Sequence, residues 1–195
     1  MTVARRRALG AVALGAVTAL VAGCGATGPS APSSSPSGTA FDAAAARATL
    51  RATGPLLSVG AGALGYKVVL APGRPGIEGN IDRGDRRITL FMAGAEAPHR
   101  VAHDLAHEIG HAFDFERMTN ADRRAYLLRR GRPDAPWWPK GASDYGVGAG
   151  DFAEVFALCH AASPIFRSRL APRPADACAV LPAGARGKMS ASEGI

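Results

Sequence analysis

The sequence is poor in cysteine, poor in aromatic residues and almost free of long apolar runs, and each scarcity narrows what the chain can be. Three cysteines among 195 residues allow at most one internal disulfide. Aromatic residues make up 6 % of the chain. Arg123-Arg124, Arg129-Arg130, Arg132, Arg167 and Arg169 sit on expected helix surfaces instead of alternating with aromatics along a basic stripe, which argues against a nucleic-acid partner. The longest apolar run, Ala8 to Ala22, is shorter than the ~20 residues that cross a bilayer comfortably. There is no internal repeat.

The N-terminus has the layout of an export signal over residues 1–24. Arg5, Arg6 and Arg7 form its positive start and Ala8 to Ala22 its apolar middle. Val21-Ala22-Gly23-Cys24 resembles a bacterial lipobox. The resemblance implies cleavage before Cys24, a diacylglyceryl anchor on that residue, and an extracytoplasmic protein held at the cell membrane. Ordinary secretion is the plainer alternative, and the arginines leave general and twin-arginine export both open. Gly25 to Ala40 holds only Gly, Ser, Pro, Ala and Thr, the composition of a tether. Residues 41–187 then suit one domain with a core of its own, and residues 188–195 a flexible tail. The formal charge is +7, of which the three signal arginines leave +4 on the mature chain. With Cys24 used at the membrane, Cys159 and Cys178 remain as a pair. In an oxidising compartment they are expected to bridge the last clear helix to the C-terminal segment.

His107-Glu108-Ile109-Gly110-His111 reads H-E-x-x-H, the spacing of a zinc site that carries its own base. A helix turns about 100° per residue, so His107 and His111 stand about 40° apart, one turn up the same face. Two imidazoles so placed can reach one tetrahedral ion at distances near ~2.0–2.1 Å. Glu108 lies about 60° from His111 on the same side. A carboxylate there can take a proton from a water that zinc acidifies toward a pKa of ~7. Ala102, Leu105, Ala106, Ile109 and Phe113 give this expected helix, Pro98 to about Phe115, an apolar back. His99 and His103 continue the histidine row upstream. Helical drift separates His99 from His111 by about 120° and ~18 Å, so one ion cannot use all four. His103 reads either as a residue behind the ligands or as an exposed polar one, His99 as solvent-facing, and His160 as structural.

The remaining pattern predicts a helix from Phe41 to about Ala52 and strands at Tyr66–Leu70, Ile77–Asp82 and Arg87–Met92. The last two are joined as a hairpin through Arg83-Gly84-Asp85. A helix follows, capped by Asn120, then a Pro- and Gly-rich stretch with Trp137-Trp138, then a helix opened by Asp151 and running from Phe152 to Ala162. Helix, strands, then helices is an α+β order. It predicts a small antiparallel sheet packed on the motif helix, with further C-terminal helices.

A hydrolytic zinc takes three protein ligands and a water, so a third ligand is needed. The H-E-x-x-H motif, Asp114 and the later Phe152-Ala153-Glu154-Val155-Phe156 resemble the zincin metallopeptidases. Among these, the closest likeness is to the gluzincin branch that includes the catalytic domain of anthrax lethal factor. The likeness spans residues 97–162 and is strong at the two motifs. It implies a zincin-like fold with a sheet edge beside the metal cleft. In those relatives the third ligand is a Glu four residues before the Glu of the Phe-Ala-Glu triplet, and here Gly150 stands in that place. Either Asp151 binds the metal and Glu154 orients a ligand histidine, or Glu154 binds and Asp151 caps the helix. Asp114 either accepts a ring N–H from a ligand histidine or is a surface acid. Tyr145 precedes the third-ligand helix, where similar enzymes place a tyrosine that donates to the developing oxyanion, though its spacing departs from theirs. Trp137 and Trp138 read as packing residues.

These residues lead to the expectation of a zinc-dependent, lipid-anchored metalloendopeptidase, monomeric, acting on a peptide or protein with Glu108 as general base. The alternative is a non-catalytic extracytoplasmic metal-binding or adhesion lipoprotein, suggested by the histidine row and by glycine at the usual ligand place.

Overall fold

The computed structural model describes residues 41–139 and 144–189, all within the unit Gly38–Ile195. The export signal, the tether and Cys24 lie outside the described residues, as does most of the expected tail.

Asp42 accepts the backbone N–H groups of Ala44 and Ala45, both at 2.9 Å, and so starts helix α1, Ala43–Thr53. Strands β1 (Lys67–Pro72), β2 (Gly79–Asp82) and β3 (Arg87–Met92) form one sheet in the order β1-β3-β2. β2 and β3 are the expected antiparallel hairpin, with Asp82 opposite Arg87. β1 and β3, however, run parallel, with Val68 opposite Ile88 and Leu70 opposite Leu90. The sheet is therefore mixed, a correction to the expected antiparallel one. The cause is burial. Ile88, Leu90 and Met92 give β3 the most completely buried face, so it takes the centre, where both backbone edges are paired. β2, with its Gly79, Asn80 and Asp82, is left at the edge.

Helix α2, Pro98–Arg117, opens on a proline at its first position. Every residue from Val101 to Asp114 is buried, so the helix is enclosed on all sides and takes six ionisable residues into the interior with it. Helix α3, Asn120–Arg129, is capped by Thr119 in a reciprocal box with Asp122; Asn120 is the first helical residue and not the cap.

Helix α4, Gly148–His160, begins three residues before the expected opening at Asp151. Gly148-Ala149-Gly150 looks like loop, but its first N–H groups find tertiary partners: Gly148 donates to Pro136 at 2.9 Å and Ala149 to Trp137 at 3.2 Å. Asp151 therefore lies in the first turn and caps nothing. α4 crosses α2 at Gly110, where a Cβ would come within 3.0 Å of the Ala153 Cα. Phe152 and Phe156 of α4 complete the core against Phe113. A disulfide between Cys159 and Cys178, with Cα atoms 5.0 Å apart, ties the end of α4 to the short helix α5, Ala177–Val180.

Candidate metal centre

His107 and His111 point the same way from one face of α2, and a carboxylate meets them. It belongs to neither expected residue. Asp144, in a 3-10 turn just before α4, brings Oδ2 to 2.8 Å from His107 Nε2 and 3.2 Å from His111 Nε2, while the two nitrogens are 3.1 Å apart. Ligands at ~2.0–2.1 Å from a tetrahedral ion are separated by edges of about 3.3 Å, so the three atoms stand close to the spacing such an ion requires. His107, His111 and Asp144 could hold a metal ion.

Gly150 explains the substitution. A Cβ at this position would lie 1.9 Å from the Asp144 carbonyl oxygen and 2.7 Å from its Oδ1. The missing side chain on α4 makes room for the upstream turn, and that turn returns a carboxylate to the place the helix no longer supplies. Gly150 was readable as a gap; nothing in the Pro- and Gly-rich stretch marked Asp144.

Glu154 stands behind the ligands. Its Oε1 accepts from His107 Nδ1 at 2.9 Å and from His103 Nε2 at 3.2 Å, and its Oε2 accepts the backbone N–H of Arg167. Burial alone would raise the Glu154 carboxyl, but the hydrogen bonds from His103 and His107 hold it well below the usual range. Carboxylates only accept, so in the metal-free protein His107 donates from Nδ1 to Glu154 and from Nε2 to Asp144, and the Nε2 proton is the one an ion would displace. Burial would lower the His107 pKa. The hydrogen-bonded Asp144 and Glu154 nevertheless push it up to about 10. A metal entering this cage would displace a proton from His107.

Glu108 is buried beside this group, and its carboxylate has no hydrogen-bond partner among the described residues. Burial raises its pKa, opposed by His111 and His107. A Cβ on Gly79 would come within 2.6 Å of Glu108 Oε1, so β2 lies directly against it. The Tyr145 ring is 5.7 Å from that of His107, and burial pushes the phenol up to about 12. Arg167 Nη1 donates to Asp104 at 2.7 Å and to the Tyr145 hydroxyl at 3.4 Å.

Two expectations are corrected. The Asp151 carboxylate accepts from Tyr126 at 2.6 Å, from Arg130 at 2.7 and 3.0 Å and from Ser168 at 2.5 Å, and it is no part of the metal-capable group. Its neighbours on α3 and in the later loop claim it: Tyr126, Arg130 and Ser168 occupy both of its oxygens. Asp114 makes no hydrogen bond to either ligand ring. It accepts from Arg123 at 2.7 Å, Trp137 at 2.9 Å and Trp138 at 3.1 Å. It thereby fixes the tryptophan pair, and Trp138 lies 5.1 Å from the His111 ring. His103 is fully buried, not exposed. His160 holds loops together, taking a hydroxyl proton from Ser58 at Nδ1 and donating from Nε2 to Ala185, both at 2.8 Å.

Fold and site together define an α+β domain built around a buried two-histidine, one-carboxylate centre able to hold a metal ion. Compared with family models, curated proteins and solved structures, the chain has no match.

Proposed function

We propose that the chain is a zinc-dependent endopeptidase of the zincin type, exported and anchored through Cys24. The observation that carries this reading is Glu108, a buried carboxylate without a hydrogen-bond partner among the described residues, set in a cleft against the His107, His111 and Asp144 group. Two imidazoles and one carboxylate suit zinc better than magnesium or calcium, which favour all-oxygen sites. When bound, zinc supplies a Lewis acid that polarises a carbonyl and acidifies water.

The chain's own groups do the rest. Glu108 takes the proton of the attacking water and passes it to the leaving amine, and its raised pKa suits a group that must hold that proton between steps. Tyr145 stays protonated at neutral pH and faces the same cleft, where its O–H can donate to the developing oxyanion. Glu154, accepting from His107 Nδ1, keeps that ring in the tautomer whose Nε2 is left for the metal. The outer edge of β2, beside Glu108, can pair with an extended peptide.

The test is peptide cleavage by zinc-loaded protein, with and without a chelator, alongside Glu108→Gln. Full turnover in Glu108→Gln would refute the mechanism. Metal analysis should count one ion per chain. No turnover together with a different count would favour the non-catalytic alternative.

A further inference from the structure

The metal-capable group lies where two cavities meet. One, of about 290 Å³, is lined by Ile77, Glu78, Asp104, Tyr145 and Arg167. The other, of about 220 Å³, is lined by Asn80, Ile81, Trp138, Pro139 and Val147. Gly79, Glu108 and Asp144 line both, so the cleft continues past the reacting position in two directions.

The two arms differ in chemistry. In the first, Asp104 is matched by Arg167, and Asp144 belongs to the ligand group. Glu78 is left over, because its carboxylate has no ion pair or hydrogen bond among the described residues. Beside it Ile77 is 41 % exposed. An unmatched carboxylate next to an exposed aliphatic surface suits a lysine or arginine side chain, whose stem covers the apolar part while its charged end meets the acid.

The second arm is aromatic. Trp138 is 46 % exposed, yet it is held from behind: its Nε1–H donates to Asp114, and its ring stacks on Phe115 at 5.6 Å and 15°. Arg83 covers the Phe115 ring at 4.7 Å. The indole face is thus fixed before any ligand arrives, so binding a large apolar side chain costs little ordering there.

Resting on the peptidase reading, we propose that the cleft takes an extended peptide carrying lysine or arginine on one side of the scissile bond, at Glu78, and a large apolar or aromatic residue on the other, against Trp138. Each arm is then an independent determinant of specificity.

Cleavage of a mixed peptide library by zinc-loaded protein, read by mass spectrometry, should show both preferences at once. Glu78→Lys should cut the basic preference by about tenfold, the scale of one charge-assisted contact, and leave the apolar preference in place. Trp138→Ala should do the reverse, with Trp138→Phe retaining it. A second measurement does not depend on turnover. Zinc-loaded Glu108→Gln should bind a peptide with Phe and Lys flanking its centre about tenfold tighter than one with Glu replacing Lys. Cleavage without the paired preference, or Glu78→Lys leaving the basic preference intact, overturns the specificity. Binding with that pattern but no cleavage by wild type overturns the peptidase reading and keeps the cleft.

Discussion

Helix α4 buries two carboxylates three residues apart, Asp151 and Glu154, both fully shielded from solvent. They belong to two different kinds of polar cluster. Around Asp151 both oxygens are taken, by Tyr126, by Arg130 twice and by Ser168, and nothing remains to be satisfied. Around Glu154 the hydrogen bonds lead outward to His103 and His107 and on to Asp144, and they stop short. The side-chain atoms sealed from solvent and without partners among the described residues are His103 Nδ1, His111 Nδ1 and Asp144 Oδ1, all in this second cluster. Buried polar groups are normally paired, and exceptions gather where a ligand is awaited. The closed cluster holds the fold and the open one holds the site.

The comparison can be broken most forcefully at Asp151. Asp151→Asn leaves the Arg130 guanidinium buried without its counter-charge, and urea unfolding should show a loss of about 3–5 kcal/mol, while the folded protein keeps its metal affinity. Asp144→Ala should do the opposite. Chelator competition should show more than the ~100-fold loss expected of a residue behind the ligands. The metal-free protein should lose less stability than Asp151→Asn does, because Asp144 is part-exposed and Glu154 remains as a second anion beside His107. Glu154→Gln falls between these, with about 10–100-fold weaker metal binding in the same competition assay, since His107 and His103 lose the anion they share.

The smallest effect belongs to His160, at the far end of α4. Burial lowers its pKa below the ordinary histidine value of about 6.5, with the Ala185 carbonyl opposing. The unfolded chain therefore binds this proton more readily than the folded one. The group's contribution is complete above about pH 6.5 and is lost as the pH falls below it. The difference in unfolding free energy between wild type and His160→Gln, measured across pH 5–8, should shrink toward the acid side. A difference that stays constant across that range would assign the pH dependence to other groups.

Much of the site was legible because its spacing is local. His107, Glu108 and His111 lie within one and a half turns of a helix, and helical periodicity alone brings them together. The hairpin of β2 and β3 was readable for the same reason. Asp144 was not, because it meets His107 across 37 residues from a segment with no periodic pattern. The parallel pairing of β1 with β3 was equally hidden, since alternation of apolar residues marks a strand without naming its neighbour. The start of α4 was missed because Gly148 and Gly150 look like loop until the carbonyls of Pro136 and Trp137 and the close-packed turn at Asp144 are in view.

By itself, then, the amino-acid order determined a helix that presents two imidazoles and a carboxylate to one spot, because those relations depend only on the geometry of a single helix. Tertiary structure alone decided which acid would join them. Arg130, Tyr126 and Ser168 neutralise Asp151, the two histidines on α2 engage Glu154, and the bare backbone at Gly150 admits Asp144. Each of these outcomes turns on packing between segments far apart in the chain.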